Sequence, residues 1–248
     1  MTRFFLFFIA VFAFLNIADV HARSLTIDLA QDHVDITTGF DGSYLTLFGV
    51  KEEKGDVAVV MKGPKKDVVV RQKASLFGVW MNRHFLVYGD VPSFYDFALS
   101  DKAENLLEPP LLKEYGIGLG SLKFAPDSND YKEAEINAFN KALVRNKQAE
   151  KLFPVVAKDI VFISDNFFKT EFYLPSNVPT GTYTVETFLI NNGRLVEKRE
   201  TQVKVAQVGF NSGVNKFAHS FSLAYGFVIV LIAVIAGWLS NAVRQTRK

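Results

Sequence analysis

The residues best suited to chemistry gather in one stretch, Gly78-Val79-Trp80-Met81-Asn82-Arg83-His84, read with Arg71 and Lys73 upstream and Tyr95 downstream. Trp80 offers an aromatic face, Asn82 a donor–acceptor amide, Arg83 a planar fork of donors and His84 a titratable ring. Arg71, Lys73, Trp80, Asn82, Arg83, His84 and Tyr95 together would make a docking patch or a small ligand pocket. Within it, Arg71, Lys73, Asn82 and Arg83 would suit a small anion or a glycan. The plainer account is a core Trp on a strand with a polar turn after it.

Other chemistries find little to build on. His21 lies in a leader-like segment and His219 at the edge of an apolar one, which leaves His33 and His84. No H-x-x-x-H or H-E-x-x-H spacing occurs, so a zinc hydrolase finds no ligand set. Ser93 and Ser164 lack a G-x-S-x-G elbow. The chain has no Cys, which removes thiol catalysis and Cys-held metals. Glu52-Glu53 reads as a solvated loop, and no carboxylate pair stands out for glycoside hydrolysis. The string Gly116-x-Gly118-x-Gly120 has no strand before it and no Lys-Ser/Thr pair to close it, so it reads as a flexible connector rather than a phosphate loop. The expectation is a protein without catalytic residues, cofactor or metal.

The elements that would position these residues are mostly short strands. Leu25, Ile27 and Leu29 alternate with polar residues, as do Val34 and Ile36. Runs at 44–50, 56–61, 67–73, 77–80 and 85–88 follow, punctuated by Gly39, Asp41-Gly42, Lys54-Gly55 and Lys62-Gly63-Pro64. Asp41-Gly42 suits a hairpin turn. The β pattern breaks around 91–95, and residues 101–107 and 111–115 suit two short helical turns divided by Pro109-Pro110. Residues 130–152 predict an amphipathic helix capped by Asp130 with Glu133, with Ile136, Phe139 and Leu143 on one face. Its other face carries Lys132, Lys141, Arg145 and Lys147 and reads first as solvated, second as a surface for an acidic partner or anionic lipid. Strands return at 159–164, 167–173, 181–190 and 194–205, with Asn191-Asn192-Gly193 as a hairpin turn. Pro179 to Val185 resembles the entry to a late immunoglobulin-type strand, where a Tyr braces the corner. The fold expectation is mainly β: an immunoglobulin-like sandwich of lobes 24–98 and 158–206, as one sandwich or two, with a loop-and-helix insert at 99–157.

Both ends carry membrane signals. Arg3, the apolar run from Phe4 to Leu15 and Val20-His21-Ala22 read as a signal peptide over 1–22, cleaved after Ala22. Residues 23–206 would be the exported domain and 207–219 a juxtamembrane link. Residues 220–239 hold no charge and match a bilayer core of about 30 Å as a helix, with Tyr225 and Trp238 near its ends. Arg244, Arg247 and Lys248 would keep a tail, 240–248, in the cytoplasm. Ser222 with Gly226 and Ala233 with Gly237 give small-residue pairs for close helix packing, a route to a homo-oligomer. With no ionisable residue the segment makes no ion path by itself. The net charge of +2 gives no footprint for nucleic acid.

Several of these pieces together resemble an alphaproteobacterial family of transmembrane proteins with a leader, an exported domain and one C-terminal span. They are Phe48-Gly49, Lys62-Gly63-Pro64, Val70-Arg71-x-Lys73, Gly78 to Asn82, Val91 to Tyr95, Pro179 to Tyr183 and the apolar segment at 220–239. Position 79 is Val where the family pattern suggests Ile. The family carries no assigned activity, so the resemblance implies no catalytic residues. It implies the inner membrane, a periplasmic main domain and an accessory place beside a transporter of the sulfite-exporter type. The functional expectation is a non-enzymatic interaction subunit held at the lipid bilayer beside a membrane-protein partner. The alternative is a periplasmic binding module for a small anion or glycan.

Overall fold

Alternating apolar residues produce most of the backbone pairing. The computed structural model describes residues 24–76, 78–127, 131–208 and 222–245. The leader expected at 1–22, most of the link at 207–219 and the end of the tail lie outside them.

A four-stranded sheet runs in the order β1 (Leu25–Leu29), β3 (Gly42–Lys51), β11 (Phe167–Pro175), β10 (Val161–Phe162). A six-stranded sheet runs β2 (His33–Ile36), β13 (Arg194–Gln207), β12 (Gly181–Asn191), β4 (Asp56–Lys62), β7 (Tyr95–Leu99), β9 (Lys158–Asp159). On β3, Leu45 and Leu47 are buried while Tyr44 is exposed, the alternation of a strand covered on one face. By contrast, β4 from Val57 to Met61 and all of β7 are buried. These central strands are covered on both sides, which is why their sequences are continuously apolar. Both sheets contribute to a single core cluster that includes Leu25, Leu47, Val59, Met61, Phe168, Phe172 and Val185.

Each sheet mixes strands from both expected lobes, since β3 pairs with β11 and β4 with β12. The result is one two-layer sandwich. It departs from the all-antiparallel immunoglobulin pattern, because β13 pairs parallel to β2 and β7 parallel to β9. The corner tyrosine is present: Tyr183 is buried and its hydroxyl donates to the Pro179 carbonyl at 2.6 Å. The hairpin expected at Asp41-Gly42 is not, because β2 and β3 lie in different sheets. The turn at Asn192-Gly193 is, with both residues at positive φ, as a two-residue turn between β12 and β13 requires.

The segment between the sheets' strands covers the second face of the six-stranded sheet. It comprises α1 (Ala103–Leu106), α2 (Pro109–Tyr115), a 3₁₀ turn (Leu119–Ser121), β8 (Ala125–Pro126) and α3 (Glu133–Ala149). Tyr115 packs on Phe188 of β12, and Phe153 lies edge-on to Tyr95 of β7. The glycine string is structural: Gly116 takes a left-handed φ of 66° to end α2, and its carbonyl accepts from the Tyr95 hydroxyl at 2.8 Å. Helix α3 starts two or three residues later than expected. The Lys132 amide donates to Glu135 at 3.0 Å, so Glu135 and not Glu133 closes the first turn. Asp130 lies outside the described residues.

The largest departure from expectation is a ribbon. Strands β5 (Lys65–Leu76) and β6 (Val79–Pro92) pair along their length, with only β8 beside them. They are the prolongation of β4 and β7, themselves antiparallel neighbours. Gly63 N–H donates to Phe94 O at 2.8 Å and Ser93 N–H to Pro64 O at 2.9 Å, so the ladder runs on through the junction. What looked like a break in the β pattern at 91–95 is this bend in one long hairpin. A Cβ on Gly63 would sit 2.8 Å from Ser93 Oγ and 3.0 Å from the Phe94 backbone nitrogen, so glycine lets the strands cross that closely. Bulges at Lys66/Val68 and Gln72/Lys73 twist the arm further. At about 3.3 Å per residue, twelve paired residues carry it about 40 Å.

The expected membrane-crossing helix is corrected. Residues 222–245 form a helix, α4 (Ser222–Gln245), but among the described residues no helix is long and apolar enough to cross a membrane. The helix does not stop at 239 as expected but runs on through the polar residues Ser240, Asn241, Arg244 and Gln245.

Candidate functional site

Two faces of the arm collect the residues of interest. On its outer face, Arg71 pairs across the ribbon with Phe85, and Val69 with Val87. Val69 and Phe85 are 43% and 59% exposed, large apolar groups on a strand pair that has no sheet behind that face; Met81, 50% exposed, lies past the bulge opposite Ala74 and does not share that face. On its inner face, Val70 pairs with Leu86 and Val68 with Tyr88; Val70, Leu86 and Tyr88 are buried. Tyr88 donates to Asn140 Oδ1 of α3 at 2.6 Å, which fastens the helix along the arm. Tyr131 adds a second fastening, its hydroxyl donating to Phe85 O at 2.8 Å.

Fastening α3 along β5 leaves an open groove of about 680 Å³ between them. Val70, Arg71, Gln72 and Lys73 line the strand side. Glu135, Ala138, Phe139, Lys141, Ala142, Arg145 and Asn146 line the helix side, at spacings of three and four that put them along one stripe. Buried Val70 and Phe139 make the floor, and exposed Lys73, Lys141 and Arg145 stand on the rim.

The sequence-derived patch is therefore brought together only in part. Arg71, Lys73 and His84 are exposed on the arm, with His84 edge-on to Tyr131. Trp80, Asn82 and Arg83 have their backbones on β6, and Arg83 falls at the bulge; their side chains lie outside the described residues. Tyr95 does not join the patch. It is fully buried on β7, its hydroxyl held by Gly116, and burial pushes that hydroxyl's pKa far up. Gly226, Ala233 and Gly237 are exposed on α4, a Cβ added at either glycine would face open space among the described residues, and the Ser222 side chain lies outside them.

Sequence reasoning missed two buried charge clusters. Glu186 of β12 lies 9% exposed between Lys62 Nζ, at 2.5 Å, and Lys198. Burial raises its pKa, but the two lysines outweigh burial and hold it below the usual carboxylate range. Asp96 of β7 is 5% exposed, with Lys158 Nζ at 3.5 Å. Here burial wins and pushes the carboxyl up to about 6. Both sit on strands where a lone acid interrupts an apolar run, the one signal that the sequence offers. Among the described residues no three His, Asp or Glu side chains gather as a metal site would need.

A family model described as "Putative transmembrane protein" (Alph_Pro_TM) matches residues 24–246. The match covers nearly the whole chain, and the chain belongs to that family. Membership places it at a membrane. No curated protein matches it.

Proposed function

We propose that the protein is a non-enzymatic interaction module at the inner membrane, its sandwich on the periplasmic side, which docks through the β5–β6 arm onto a membrane-protein partner. The observation that carries this reading is the exposure of Val69 and Phe85 on the outer face of a ribbon that extends the two central strands of the larger sheet. Aromatic residues, Met and Arg are the types that concentrate binding energy at interfaces, and Phe85 stands opposite Arg71. A transporter-type partner fits the family's membrane setting.

The test is copurification from gently solubilised membranes, comparing the wild type with Phe85→Ser and with Val155→Ser as an exposed control elsewhere. A stoichiometric partner retained by wild type and Val155→Ser and lost by Phe85→Ser supports the reading. A clean protein with no partner, or a partner that Phe85→Ser keeps, sinks it.

A further inference from the structure

The groove between β5 and α3 carries more positive charge than its own structure uses. Arg71, Lys73, Lys141 and Arg145 line it, and among the described residues none of the four pairs with a carboxylate. Its one acid, Glu135, accepts from the Lys132 amide and so serves the start of its own helix. Lys141 and Arg145 stand one helical turn apart, where like charges repel. Lys147 follows on the next turn, where burial lowers its pKa, Glu150 pulls it back up and the Lys66 charge of β5 lowers it. Gln72 and Asn146 supply neutral donors and acceptors. The floor is apolar, from Val70, Phe139 and Ala142.

We infer that this groove is a binding site for a phosphate-bearing anion whose carrier rests on the apolar floor. A phosphoryl group takes several charge-assisted hydrogen bonds at once, and two arginines and two lysines can supply them from both walls. The volume of about 680 Å³ exceeds what a lone phosphate fills and lies within the range of ordinary small-molecule sites. The chemistry is shared by a soluble phosphate compound and by the headgroup of an anionic phospholipid. The site shares Arg71 with the docking face at Phe85, so its test leaves Arg71 and Phe85 unaltered and fails or succeeds separately from docking.

The experiment uses the full chain in a neutral detergent and isothermal titration with three probes: inorganic pyrophosphate, a short-chain phosphatidylglycerol and the matching phosphatidylcholine. Binding of pyrophosphate alone assigns a soluble ligand, binding of phosphatidylglycerol alone a lipid headgroup, and binding of both a site that reads the phosphoryl group only. In each supporting case the Lys141→Gln/Arg145→Gln double variant binds about tenfold more weakly or worse. Lys73→Gln, on the opposite wall, weakens binding in the same direction, and Lys113→Gln on α2 leaves it unchanged. All four positions are solvent-exposed, so the variants fold, as unchanged melting temperatures will show. No saturable binding of either anion, equal binding of the zwitterionic lipid, or binding that survives both groove variants overturns the inference.

Discussion

Replacing Asp96 by Asn should change how stability depends on pH. Asp96 is buried between the layers, beside Lys158 and accepting from the Phe97 amide at 2.9 Å. Burial raises its pKa from 3.8 to about 6, against the smaller opposing pulls of Lys158 and the Phe97 amide. The folded state therefore binds the proton more tightly than the unfolded chain. Stability from this group is fully present below the unfolded value and is lost as pH rises through the folded one. A gap of roughly two pH units, at about 1.4 kcal/mol each, amounts to roughly 3 kcal/mol lost by pH 7 but only about 0.5 kcal/mol at pH 4. Asn cannot ionise and keeps an acceptor for the Phe97 amide. Any fixed packing difference between Asp and Asn cancels when the variant is compared with wild type across pH. What remains is an advantage for Asp96→Asn that grows by roughly 2.5 kcal/mol from pH 4 to pH 7. For a domain of this size, about 2–4 °C per kcal/mol turns that into a melting-temperature gap widening by about 5–10 °C. Thermal unfolding of both proteins followed by circular dichroism, in small steps from pH 4 to pH 8, reads it directly. Parallel curves, or a gap that narrows as pH rises, would refute the reasoning.

Three further substitutions probe other parts of the fold. Glu186→Gln leaves Lys62 and Lys198 facing each other without their shared carboxylate, and should cost about 2 kcal/mol at neutral pH, less than for a fully buried pair because the lysines are partly exposed. Since the carboxyl's pKa is depressed, that difference should fade as pH falls through the folded-state value, which urea titrations at pH 7 and pH 3 can check. Gly63→Ala pushes a methyl against Ser93 and Phe94 at the arm's bend and should cost about 1–3 kcal/mol; unchanged urea midpoints would show that the bend yields freely. Tyr183→Phe removes the hydroxyl that the Pro179 carbonyl receives, for a loss of about 1 kcal/mol in the same assay.

Strand content was readable because its signal is local. Leu45 and Leu47, or the Asn192-Gly193 turn, announce themselves within a few residues. Pairing partners were not, because nothing in β3 names β11 more than a hundred residues away. That is why Asp41-Gly42 read as a hairpin while β2 went to the other sheet. The same limit split the groove. The basic helix face at Lys141 and Arg145 and the basic string at Arg71 and Lys73 were each visible, but only the tertiary docking of α3 along β5, through Tyr88 and Asn140, makes them two walls of one cleft. Tyr95 shows the converse. Proximity in sequence to Trp80 and His84 suggested a shared patch, yet the bend at 63–64 and 93–94 carries it back into the core. The apolar segment at 220–239 has the length, the flanking Tyr225 and Trp238 and the basic tail of a span, yet among the described residues no helix is long and apolar enough to cross a membrane.

The continuity of the arm with β4 and β7 also bears on how the chain folds. Residues 56–99 form one nested hairpin, so each new rung closes only a small additional loop once the turn between β5 and β6 has formed. The pairings of β3 with β11 and of β4 with β12 must instead close loops of more than a hundred residues. Local pairing is fast and distant pairing slow, so zippering should run from the arm's tip inward and deliver β4 and β7, already aligned, as the template on which β12 is laid. Destabilising the arm should then slow folding, whereas destabilising the β12–β13 hairpin's far end should mainly hasten unfolding.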